Sequence, residues 1–94
     1  MSTPKRKTHT LTANFTKQGA EKIHTTFLQL VEHDGDLYLN ASKVSLIDAT
    51  GLQLIYALVR DRKLTGKKTT LTKCPPIVTS TIETFGLSAE LSVA

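Results

Sequence analysis

Few residues of this 94-residue chain have types and spacing suited to chemistry, and they meet at one junction, Leu46-Ile47-Asp48-Ala49-Thr50-Gly51-Leu52. An acidic residue, two small residues and a glycine open the most amphipathic helical pattern of the sequence. A helix N-terminus presents unpaired N–H groups and a partial positive charge, so it receives anions, including a phosphate carried on a hydroxyl there. The same residues also read as punctuation, with Asp48 the N-cap and Thr50 a first-turn residue whose hydroxyl caps a backbone group. On elementary physics alone the capping reading is the simpler one.

Elsewhere the sequence predicts no catalytic residue, no metal and no cofactor. His9, His24 and His33 are dispersed over a strand, a helix and a turn, and all three are expected to be exposed. None shares a helical face with a second ligand at metal-binding spacing. Cys74 is the only cysteine, which excludes an internal disulfide and leaves a half-buried thiol as the expectation. The serines lack a G-x-S-x-G elbow. The glycines Gly19, Gly35, Gly51, Gly66 and Gly86 stand singly at helix ends or turns, so no loop cradles a phosphate.

The elements that must position the junction follow from periodicity. Thr8 to Phe15 alternates around Leu11, Ala13 and Phe15, the pattern of one half-buried strand. From Lys17 the spacing changes to that of a helix, with Ala20, Ile23, Phe27, Leu30 and Val31 on one stripe, Thr16 as its cap and His33-Asp34-Gly35 as its stop. Leu37-Tyr38-Leu39 reads as a short strand, and Ala41 to Ile47 as a connection. After Asp48, the residues Leu52, Ile55, Tyr56 and Val59 form a helical face, with Leu54, Leu58 and Leu64 beside it and the basic residues opposite, until Gly66 closes the helix. Thr69 to Lys73 is a threonine-rich strand. Cys74-Pro75-Pro76 delays the next helix, since a residue before proline leaves the helical region. That helix carries Ile77, Val78, Ile82 and Phe85 and ends at Gly86, leaving Leu87 to Val93 as a final edge strand.

This order predicts an α/β domain of βαβαβαβ type. About four mostly parallel strands are joined by right-handed crossovers, with the helices mainly on one face of the sheet. At 10.3 kDa, with 39% apolar and 21% charged residues, the chain is one domain, and a cleft between two domains, a double dinucleotide fold and a barrel are excluded. Residues 1–7 read as a flexible basic tail and residues 8–94 as the domain. No apolar run approaches the roughly 20 residues of a membrane span, and the N-terminus lacks the apolar stretch of a secretory signal, which predicts a cytoplasmic chain without membrane insertion.

Twelve Lys and Arg against eight Asp and Glu give a net charge of +4, concentrated in residues 1–22 and 60–73. Nucleic acid is the reflex partner for clustered cations. Yet no helix-turn-helix or zinc finger occurs, and Phe15, Phe27, Tyr38, Tyr56 and Phe85 are scattered singly, so the expectation is a solvated basic face and no nucleic acid.

The stretch from Leu37 through Asp48-Ala49-Thr50-Gly51-Leu52 to Leu54 resembles the STAS domain, the module of bacterial anti-sigma-factor antagonists. That family has an apolar strand, a small loop, then Asp-Ser-Ser-Gly-Leu or Asp-Thr-x-Gly-Leu opening a helix. Arg60 to Lys67 is similar to its charged helix end, and Pro75 through Leu87 to its last helix with the closing Gly-Leu; the likeness runs from Leu11 onward. The resemblance implies a non-enzymatic binding switch. In the antagonists the residue after the aspartate is a serine or threonine phosphorylated by a partner kinase that doubles as anti-sigma factor, and the unmodified form binds that partner. Here the acceptor position is Ala49, and the hydroxyl follows on Thr50, about 100° further round the helix. The resemblance thus implies either a constitutive binder or a variant register with Thr50 as acceptor, Ser42 and Ser45 being weaker candidates. Many relatives carry an extra N-terminal strand. Short versions resemble STAS proteins encoded with chemotaxis and two-component components, and the small STAS subunit of phospholipid transporters. The implied partner is an anti-sigma factor or serine-kinase-like signalling protein met by Asp48, Ala49, Thr50 and Gly51, or, alternatively, the ATPase subunit of a transport complex. Oligomeric state is left open.

Overall fold

A computed structural model describes residues 6–94. Three parallel strands, β1 (Lys7–Thr10), β3 (Leu37–Asn40) and β5 (Thr69–Thr72), pair in that order, and a small second ladder joins β2 (Asn14–Phe15) to β4 (Leu46–Ile47). The helices are α1 (Ala20–Leu30), α2 (Ala49–Leu64) and α3 (Pro76–Thr84). Consecutive crossover-linked strands are neighbours, as the alternation of elements requires.

Register explains the one-sided core. Leu37 and Leu39 of β3 and Leu71 of β5 point to one face. There they join Ile23, Phe27 and Leu30 of α1, Leu52, Ile55, Leu58 and Val59 of α2, and Val78 and Ile82 of α3 in one buried cluster. The rings of Phe15 and Phe27 pack within it in a tilted arrangement, 5.9 Å between centroids. The opposite face shows Thr8 and Thr10 exposed and Tyr38, Asn40 and Thr72 half-buried, with the Arg6 guanidinium 5.3 Å from the Tyr38 ring centre.

Several expectations are corrected. The continuous strand from Thr8 to Phe15 is two strands: the Leu11 amide still bonds Asn40 O at 2.8 Å, but Ala13 O then accepts from the Ser45 and Leu46 amides. Alternation reports which side chains are buried and is blind to a change of ladder partner. The same ladder makes Leu46–Ile47 a strand where the sequence reads as plain connection; two residues are too few to show a period. Lys7, assigned to the tail, is the first residue of β1, and Met1 to Lys5 lie outside the described residues. Thr16 does not cap a helix through its side chain. Its Oγ1 donates to Asn14 Oδ1 at 2.6 Å, and a 3-10 turn over Lys17–Gly19 precedes α1. At the C-terminus, Leu87 to Val93 supplies only a single parallel bridge, Val93 to Leu71, rather than a strand. His9 and His33 are half-buried and only His24 is exposed, because β1 and the α1–β3 turn pack against their neighbours. Burial, with Lys7 adding repulsion, lowers the His9 pKa from its ordinary 6.5.

Two stripes also differ from their pattern. Leu64 is 78% exposed at the end of α2, and Ile77 and Phe85 stand out from α3. Conversely Arg62, assigned to the solvated basic face, has no exposed surface at all. Gly66 (φ +77°) and Gly86 (φ +68°) do take the left-handed conformation that closes α2 and α3. Cys74 is half-buried, and burial raises its thiol pKa above the ordinary 9.0.

Candidate functional site

The junction is held from two directions. Asp48 has extended backbone (φ −124°, ψ −177°) and ends β4; its Oδ1 accepts from the Gly51 amide at 2.9 Å, making it the N-cap of α2. Its Oδ2 accepts from the Lys17 amide at 3.0 Å, a residue 31 positions away. One carboxylate therefore caps the first turn of α2 and the 3-10 turn before α1. Hydrogen bonds from Gly51 and then Lys17 favour the charged form and hold the Asp48 pKa below its ordinary 3.8.

Gly51 does more than permit a helix start. A Cβ at this position would lie 2.0 Å from Phe15 O and 2.8 Å from Phe15 C, so the first turn of α2 sits directly on the β2 backbone. Phe15 is pinned by its own burial and by its ladder to Ile47. The close approach thereby fixes where the start of α2 stands.

With its flanks locked, the junction turns Ala49 outward, exposed, and leaves Thr50 half-buried. The Thr50 hydroxyl has no hydrogen-bond partner among the described residues, whereas the Ser45 hydroxyl donates to Ala13 O at 3.2 Å. The Ser42 amide closes an Asx turn on Asn40 Oδ1 at 2.9 Å. The structure thus brings Asp48, Ala49, Thr50 and Gly51 into one unit and keeps Ser42 and Ser45 in the adjoining exposed loop. Beside them Leu46 is 56% exposed.

The sequence reading missed Lys17 as a second donor to Asp48, the steric role of Gly51 and the exposure of Leu46. A three-residue spacing from Asp48 to Gly51 signals the cap, but nothing local signals contacts made across the chain. Among the described residues no group of three or more His, Cys, Asp and Glu is placed to hold a metal ion, and no helix is long and apolar enough to cross a membrane.

Solved structures share this fold. A STAS-domain anti-sigma-factor antagonist protein from Planctomyces limnophilus matches with a TM-score of 0.81 at 12% identity, over 92% of this chain and 79% of that one. The anti-sigma factor antagonist SpoIIAA in its unphosphorylated form matches with a TM-score of 0.76 at 19% identity, over 100% of this chain and 84% of that one. A sulfate transporter family protein from Wolinella succinogenes matches with a TM-score of 0.74 at 17% identity, over 94% and 75%. A search of the curated proteins finds no significant match. The family model described as "Mlab, STAS domain" matches residues 2–92. Spanning nearly its whole length, that match agrees with the parallel β1-β3-β5 sheet and the capped start of α2, and the chain belongs to the STAS domain family.

Proposed function

We propose that the chain is a cytoplasmic, non-enzymatic regulatory module that binds a protein partner through the surface centred on Asp48, Ala49, Thr50 and Gly51. The family is in general regulatory rather than catalytic, and its likeness to anti-sigma factor antagonists points to a signalling partner such as an anti-sigma factor or serine kinase. The supporting observation is the double anchorage of Asp48. It presents Ala49 and Thr50 on a rigid helix start, which lowers the ordering entropy a partner must overcome.

Regulation runs through the Thr50 hydroxyl in the first turn of α2, which has no hydrogen-bond partner among the described residues. A phosphate on Thr50 adds about −1.5 to −2 charges to the docking surface and must be desolvated there. Ala49, lacking a hydroxyl, cannot serve; the switch runs through Thr50 or is locked in the binding state. Intact-mass measurement after incubation with candidate kinases separates the two. Phosphate uptake abolished by Thr50→Val supports the Thr50 register, and uptake only by an Ala49→Ser protein supports the locked state. The binding surface itself is tested by capture of the partner. Loss of capture is expected on Thr50→Arg, with unchanged circular dichroism, and on Asp48→Lys, which also removes the cap; retention by both variants overturns the reading.

A second reading has its own support in the "Mlab" description of the matching family model. Under it the chain is an accessory subunit of an ATP-driven phospholipid transport complex, docking the same surface on the ATPase. Co-purification with an ATPase instead of a kinase selects it.

A further inference from the structure

Because all crossovers are parallel, α1, α2 and α3 each begin at the edge where the strands end, and this edge also carries the proposed docking surface. Its charges are lopsided. Of the eight Asp and Glu side chains, Glu32, Asp34 and Asp36 lie between α1 and β3, Asp61 and Glu83 near the ends of α2 and α3, and Glu90 beside Lys67 and Lys68, all at the opposite edge. Only Glu21 and Asp48 belong to the docking edge, and both oxygens of Asp48 accept backbone amides. Four exposed lysines stand there: Lys17 after β2, Lys22 in the first turn of α1, Lys43 after β3 and Lys73 after β5. Among the side chains the surplus is two ammonium groups, four against two, and the helix N-termini add partial positive charge. Within this rim are exposed apolar side chains, Leu46 (56%), Ala49 and Ile77 (40%) of the first turn of α3, which packs beside β4.

We infer that this edge recognises an acidic protein surface with an apolar centre, such as an amphipathic helix bearing Glu and Leu. The inference rests on the docking surface proposed above and adds the chemistry of the partner. It also gives the phosphate a quantitative role. About −1.5 to −2 charges on Thr50 cancel a surplus of two, so modification removes the attraction that steers the partner in.

The test titrates the isotope-labelled full chain with an amphipathic helical peptide carrying Leu on one face and Glu on the other, and with its counterpart in which Lys replaces Glu. The expected result is that the Glu peptide shifts the amide resonances of Leu46, Ala49, Thr50 and Ile77. Its affinity falls about tenfold or more in the triple variant Lys17→Glu, Lys43→Glu, Lys73→Glu, and likewise at high salt, because exposed charges are screened beyond a Debye length. Equal binding of the two peptides, shifts confined to another surface, or binding of neither overturns the inference. A cognate partner lost on Thr50→Arg but indifferent to the lysine reversals and to salt also overturns it, while leaving the docking surface in place.

Discussion

At the residue scale the start of α2 depends on one missing side chain and one shared carboxylate. Gly51→Ala forces a Cβ to within 2.0 Å of Phe15 O, a backbone atom that no rotamer change can move aside. The strain expected of such overpacking is about 1–3 kcal/mol, which lowers Tm by about 4–8 °C per kcal/mol in a domain of this size, measurable by thermal circular dichroism. Asp48 makes stability pH-dependent. Its pKa is lower in the folded state than in the unfolded chain, so its contribution is complete above the ordinary 3.8 and is lost as pH falls through the depressed folded value. Melts across the acid range are expected to show a steeper loss of Tm below about pH 4 for the wild type than for Asp48→Asn, which has no carboxylate to protonate. Equal slopes would show that Asp48 does not carry the acid sensitivity. The cap was legible in the sequence because Asp48 and Gly51 are three residues apart; the bond to Lys17 was not, since nothing in residues 17 or 48 records their meeting.

At the element scale the end of α2 is held by Arg62. Its Nε donates to Thr69 Oγ1 at 2.7 Å, Nη1 to Leu30 O and His33 O, and Nη2 to Gly35 O and Lys68 O. The fully buried guanidinium thus ties the C-terminus of α1, the turn into β3 and the start of β5 to α2. Burial lowers its pKa from the usual arginine value, while Asp36 opposes the shift. Arg62→Ala removes every hydrogen bond of the guanidinium, strips Gly35 O of its donor and leaves a void between α1, α2 and β5, and is expected to cost about 3–5 kcal/mol by denaturant unfolding. Lysine cannot rescue it, because a single ammonium cannot reproduce the planar five-donor fork. A stability within about 0.5 kcal/mol of wild type for either variant would contradict this role. Periodicity placed Arg62 among solvated basic residues because a hydrophobic pattern counts every arginine as outward-facing. The loop carbonyls that draw it inward exist only once α1, β3 and β5 have assembled.

At the scale of the whole molecule, the alternation of strand and helix patterns determined the layer architecture. Parallel neighbours need crossovers, and crossovers of one hand between neighbouring strands put α1, α2 and α3 on one face. The Asp48 to Leu52 motif likewise located the candidate surface. Tertiary structure decided what surrounds that motif. It split the first strand by giving Ala13 and Phe15 a different ladder from Thr8 and Thr10, and it brought the Lys17 amide to Asp48. It also left Lys17, Lys22, Lys43 and Lys73 at one edge and sent most carboxylates to the other. Local spacing encodes helices, strands and caps, because those depend on neighbours three or four residues away. Close approach, burial of a charge and the charge of an edge depend on residues distant in the chain, and only the packed fold brings them together.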